Sequence, residues 1–274
     1  MSRAAFPPES CVVAEVRPSP NQGERKAGKR PDMILLHYTG MPSADAALEH
    51  LCTPGSDVSA HYFVFEDGRI VQLVQESRRA WHAGMAFWAG ETDINSCSIG
   101  IEIANPGHDH GYPDFPKRQI AAVTALCRSI QTRWSVPPVR VLAHSDVAPE
   151  RKQDPGEKFP WRTLYDSGVG HWVKPASLAE AGPVLVLGER GDAVAALQDL
   201  LVQYGYNISN HGNYDFATHA AVTAFQRHFR PERVDGAGDP STRTTLRELL
   251  AHRGRTRTMA ARARDVVQML AASS

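Results

Sequence analysis

Between Cys97 and His144, two short apolar runs bracket one long amphipathic stretch, and this pattern restricts the fold more than any other feature of the chain. In CSIGIEIAN, Ile99, Ile101 and Ile103 alternate with Gly100, Glu102 and Ala104, the two-residue period of a strand. From Lys117 to Trp134, the residues Ile120, Val123, Cys127, Ile130 and Trp134 recur at spacings of 3, 4, 3 and 4, which is one face of a helix. VRVLAH then returns to a strand. The preceding segment follows the same grammar. MILLH suits a buried strand, Pro42-Ser43 opens a short helix through Leu51 with Ser43 as its cap, and HYFVFEDGRIVQLV is a hairpin folded at Asp67-Gly68. Strands alternating with helices predict an α/β fold, a mixed central sheet flanked by helices, over residues 31–176.

The flanks are of other kinds. Residues 1–30 are rich in Pro and charge and are expected to form an extended arm. Residues 177–185 are a linker, and beyond it Val194-Ala-Ala-Leu-Gln198 recurs as Val222-Thr-Ala-Phe-Gln226. That repeat predicts a small three-helix module over 186–250, followed by a basic tail at 251–274. His211, His219 and His228 are irregularly placed in the module and are expected at its surface. A chain of 274 residues has room for both units. Lys+Arg and Asp+Glu both number 30, so charge gives no case for a nucleic-acid partner. No apolar run approaches the roughly 18 residues of a membrane span. The N-terminus, broken by Pro7, Pro8, Glu9 and Glu15, is a poor signal peptide. That points to the cytoplasm, whereas export by another route would place the chain in the cell envelope. The four cysteines form no C-x-x-C pair and are expected as buried thiols.

Chemistry concentrates at the strand ends. His37 and His144 each follow a short apolar strand and precede small or polar residues. Strand ends in open α/β sheets are where ligands bind. Asp154, ten residues past His144 and followed by Pro155-Gly156, adds a carboxylate. Two His and one carboxylate are the protein ligand set of a catalytic zinc, Zn2+ with its fourth position open to water. Asp146 competes with Asp154 for the carboxylate position and otherwise belongs to the loop. Glu102 lies on the strand face opposite the isoleucines, between Gly100 and Ala104. Small neighbours leave a cleft above it, where a carboxylate can act as general base on water. Lys152 can bring an ammonium to the same site and stabilise an oxyanion. Two His and a carboxylate also suit a non-haem Fe(II) oxygenase, although alternating strands and helices speak against its all-β barrel.

LLHYTG, SAHYFVFEDG, WHAG at 81–84, SIGIEIAN and HSDVAPERKQDPG, in that order, resemble the zinc-dependent N-acetylmuramoyl-L-alanine amidases of the AmpD and AmiD type. The likeness covers roughly residues 31–165. It implies zinc on His37, His144 and Asp154, Glu102 as general base and Lys152 as oxyanion stabiliser. It further implies substrate contacts at Trp81, His82 and Asn105, with His61 structural. Ala60 and Asp154 stand where the phage-type members carry Tyr and Cys, which is the AmpD and AmiD arrangement. Residues 186–250, through GERGDAVAALQDLL, YGY and DFATHAAVTAFQ, resemble a peptidoglycan-binding module. The implied substrate is peptidoglycan or a soluble muropeptide, with the module tethering the enzyme to polymeric wall and taking no part in the chemistry. A wall-binding receptor without activity is the alternative, and retention of all five site residues argues against it.

Overall fold

The computed structural model describes residues 6–253; residues 1–5 and most of the expected basic tail, 254–274, lie outside the described residues. In chain order the strands are β1 (Glu15–Val16), β2 (Gln22–Gly23), β3 (Met33–Tyr38), β4 (Tyr62–Val64), β5 (Ile70–Gln72), β6 (Arg79–Ala80), β7 (Ser98–Ile103) and β8 (Val141–Ala143). The helices are α1 (Ala44–Cys52), α2 (Ile94–Cys97), α3 (Lys117–Trp134), α4 (His144–Val147), α5 (Trp161–Asp166), α6 (Asp192–Tyr204) and α7 (Phe216–Phe229), and residues 240–253 are also helical. Six strands form one sheet in the order β1-β5-β4-β7-β3-β8. Its pairs are parallel except β4 with β5, so the sheet is mixed. This is not the all-β barrel of the oxygenase alternative.

The periodicities account for the layers. Ile99, Ile101 and Ile103 of β7 pack with Ile120, Val123, Cys127 and Ile130 of α3 in one core. On the other face α1 contributes Leu48 and Leu51 to a second cluster with Phe63, Val71 and Ala104. Ser43 caps α1 by accepting the Ala46 N–H at 3.3 Å. The β4–β5 hairpin turns at Asp67-Gly68, where Gly68 has φ of 88°, the left-handed region that glycine enters without steric cost. Cys97 and Cys127 are buried and Cys52 is half-buried, but Cys11 is exposed, against the expectation of four buried thiols.

The N-terminal arm is woven into the domain. β1 adds to the sheet edge beside β5, and β2 pairs with β6. Arg25 is 9% exposed and donates to the carbonyls of Glu76, Asn95, Ser96 and Ser98, the last where β7 begins.

α6, α7 and helical residues 240–253 make the second module, and its internal repeat has a structural reason. Gln198 donates to Asn213 O and accepts the Gly212 N–H, while Gln226 donates to Ala237 O and accepts from the N–H groups of Asp235 and Gly236. Each repeated Gln braces the turn that follows its helix. The two modules share a core. Met33, Leu35, Trp88, Leu142 and Val147 of the first cluster with Leu197, Leu201, Tyr204, Tyr206, Phe225 and Phe229 of the second. His228, expected at the surface, is 2% exposed inside this contact. No helix among the described residues is long and apolar enough to cross a membrane.

Candidate active site

β3, β7 and β8 run parallel, so their carboxyl ends share one edge of the sheet. His37 of β3 pairs in register with Glu102 of β7. His144 follows β8, which lies on the far side of β3. The chain leaves through α4, loops, and returns at Asp154, whose carbonyl accepts the Ser145 N–H at 3.0 Å. Three distant parts of the sequence thereby converge. His37 Nδ1 lies 2.9 Å from His144 Nδ1, and Asp154 Oδ2 is 3.1 Å from the first and 3.0 Å from the second. Among the described residues these three form the group of His, Cys, Asp and Glu side chains that could hold a metal ion.

The hydrogen bonds behind the cluster fix which atoms face it. Ser98 Oγ–H donates to Ile94 O at 2.6 Å, so the same oxygen accepts from His82 Nε2–H at 3.3 Å. His82 Nδ1 is then an acceptor and takes the His37 Nε2–H at 3.1 Å. His144 Nε2–H donates to Ala83 O at 3.0 Å. Both imidazoles therefore spend their outward Nε2–H on the protein and turn Nδ1 toward the cluster. A second proton on His37 is disfavoured, because burial and the neighbouring His144 lower its pKa to about 4. Burial opposes the ionisation of Asp154, yet the adjoining His144 and His37 hold it well below the usual carboxylate range. Two imidazole nitrogens and a carboxylate oxygen thus converge on one point, and a metal cation is what that donor set fits.

A cleft of about 460 Å³ opens over the cluster and is lined by Glu102, Lys152, Trp81 and His82 with the three candidate ligands. Glu102 Oε2 is buried without a hydrogen-bond partner among the described residues. Burial and the Asp154 carboxylate raise the Glu102 pKa well above its ordinary value, and Lys152 opposes them. The side of Glu102 toward Gly100 is not open as its small residue suggested. A Cβ on Gly100 would meet the His82 ring at 2.5 Å, so that glycine makes room for the imidazole.

The remaining singled-out residues take different places. Trp81 lines the cleft, and His82 both borders it and stands behind His37. Asn105 braces the following loop, donating to Pro113 O and accepting the Gly107 N–H. His61 is buried with Nδ1 accepting the Gly100 N–H at 2.9 Å. Asp146 faces away from the cluster, toward His228 and Tyr206 of the second module. Arg151, which the sequence reading passed over, donates to Ala83 O and Met85 O and ties the ligand loop to the cleft rim. An exposed arginine in a charged loop gives no sequence signal of such a role.

A family model described as N-acetylmuramoyl-L-alanine amidase matches residues 27–157, and one of a peptidoglycan binding domain matches 190–246. The N-acetylmuramoyl-L-alanine amidase AmiD of Escherichia coli is 34% identical over 238 residues, covering 81% of this chain and 83% of the relative. A solved complex of that enzyme with the substrate anhydro-N-acetylmuramic acid-L-Ala-D-gamma-Glu-L-Lys superposes with a TM-score of 0.70 at 34% identity, over 83% of this chain and 91% of that one. AmpDh3 of Pseudomonas aeruginosa, in complex with anhydromuramic pentapeptide, gives 0.66 at 34% identity over 81% and 91% of the two chains. Likeness on this scale runs through both modules, and the converging His37, His144 and Asp154 all fall within the segment matched by the amidase model; the chain belongs to the N-acetylmuramoyl-L-alanine amidases.

Proposed function

We propose that the chain is a zinc hydrolase cutting the amide between the lactyl group of N-acetylmuramic acid and L-alanine, in muropeptides or peptidoglycan. The observation that carries this reading is the convergence of His37, His144 and Asp154, set in one cleft with Glu102 and Lys152. The muropeptide complexes of the two solved relatives support the choice of substrate.

A zinc ion held by His37, His144 and Asp154 would polarise the scissile carbonyl and acidify a water. Glu102 takes the proton of the attacking water on its unpartnered Oε2 and passes it to the departing alanine nitrogen. Lys152, two residues before Asp154, counters the charge developing on the carbonyl oxygen. His82 keeps His37 in the tautomer that exposes Nδ1. Trp81 and His82 border the space for sugar and stem peptide, while Asn105, expected as a contact, is engaged with the loop that follows β7.

The test is mass spectrometry of an anhydromuramyl tripeptide incubated with the full chain. Expected are a sugar with a free lactyl carboxylate and a peptide beginning at L-alanine, with about one zinc per chain. His37→Ala should lose both zinc and cleavage. No cleavage, or cleavage at another bond, would overturn the proposal.

A further inference from the structure

Asp146 shares the one-turn helix α4 with His144, yet its carboxylate serves a different purpose. Oδ2 accepts the Ala143 N–H at 2.8 Å. The other partners come from the second module: His228 Nδ1–H donates to Oδ2 at 2.7 Å, and Tyr206 O–H donates to Oδ1 at 2.9 Å. Asp146, Tyr206 and His228 are each no more than 2% exposed. The His228 ring is held on both sides, stacked on Trp161 of α5 and on Phe229, each at 3.7 Å between centroids. A carboxylate buried this deeply needs all its donors, because water cannot replace one that is lost.

What Asp146 holds is the turn that directs His144. Its bond to the Ala143 N–H closes α4 where the chain leaves β8, and the Ser145 N–H in the same turn holds the carbonyl of Asp154. Two of the three cluster residues are therefore aimed by a single turn. We propose that Tyr206 and His228 are positioning residues for the metal cluster. They fix Asp146, Asp146 fixes the turn, and the turn sets His144 and Asp154. The second module then completes the metal site irrespective of any wall it binds. The inference rests on the reading of His37, His144 and Asp154 as metal ligands, not on the substrate.

The experiment measures zinc affinity of the purified full-length chain by competition with a chelator, without substrate. The double variant Tyr206→Phe/His228→Leu removes both donors while keeping bulk at each position. It should bind zinc about tenfold or more weakly, the usual scale for residues that support metal ligands from behind. His228→Asn keeps an N–H for Asp146 and should stay within about threefold of the parent. Unchanged affinity in the double variant, with only a lower melting temperature, would reduce the contact to packing and overturn the proposal. Equal weakening in Asn and Leu variants at His228 would overturn it too. Should the double variant not fold, Tyr206→Phe alone decides: weakening of about fivefold or more supports the inference, and affinity within about threefold of the parent overturns it. A parent chain that binds no zinc overturns the ligand assignment itself. Normal zinc behaviour without muropeptide cleavage instead overturns the amidase reading and leaves the positioning role standing.

Discussion

At the scale of single residues, Glu102 is asked to act as a base while its surroundings favour the protonated form. Burial and Asp154 push its pKa up, and Lys152 is the group that opposes them. A carboxylate with this raised proton affinity is a stronger base than a solvated one, which suits taking a proton from the attacking water. Glu102 is not among the three convergent acceptors, so its role separates from metal binding. Glu102→Gln, which keeps shape and removes the base, should retain zinc and lose about two to four orders of magnitude in kcat. Metal analysis beside steady-state kinetics checks this, and near-normal kcat would send the base role elsewhere. Lys152→Met should likewise keep zinc, with the loss concentrated in kcat rather than KM, as expected for a charge that acts on the transition state.

At the scale of elements, β7 shows both how much the sequence reveals and where it stops. Its alternation gave the strand, and the 3-4 spacing gave α3 over the observed Lys117–Trp134, because burial of one face imposes those periods on the residues themselves. The cluster was legible for the same reason: strand ends must present their next residue at the sheet edge, and His37 and His144 stand there. Gly100 was misread. Its lack of a side chain accommodates the His82 ring, which comes from a segment 18 residues earlier, and no local pattern records that approach. Gly100→Ala would drive a methyl into the ring and displace the Ser98–His82–His37 relay that presents Nδ1. Overpacking of this kind costs about 1–3 kcal/mol. The melting temperature should fall, and zinc affinity should fall with it although no ligand has changed. A stability loss with unaltered zinc affinity would show that the relay does not hold His37.

At the scale of the molecule, the linker and the helical repeat suggested a tether hung beside an independent enzyme, and the shared core shows what that reading lacked. A linker is visible in composition, but whether two modules then dock depends on surfaces that sequence periodicity leaves undefined. Trp88 is 3% exposed with Tyr204 and Tyr206 against it, and Leu142 and Val147 belong to the same cluster. Uncovering such side chains forfeits roughly 1.5–3 kcal/mol each. Removal of the module would also leave Asp146 buried beside vacated space, without Tyr206 or His228. Acid should act on this same contact. His171 donates to or accepts from Tyr204 across it, and burial followed by the nearby His252 lowers its pKa to about 4. Its unfolded form takes up a proton near pH 6.5, so stability due to the neutral His171 is present above that pH and is lost as pH falls toward 4. His61, lowered to about 3 by burial and Arg25, adds in the same direction, while the raised Glu102 acts against them. Melting temperature should fall between pH 7 and pH 5, as these histidines take up protons in the unfolded chain first. A chain ending near residue 180 should melt at least about 10 °C below the full chain at neutral pH and bind a hydrophobic dye. It should cleave even small muropeptides poorly. A shortened chain with the parent melting temperature and undiminished activity on small substrates would restore the picture of a free tether and show the shared core to be dispensable.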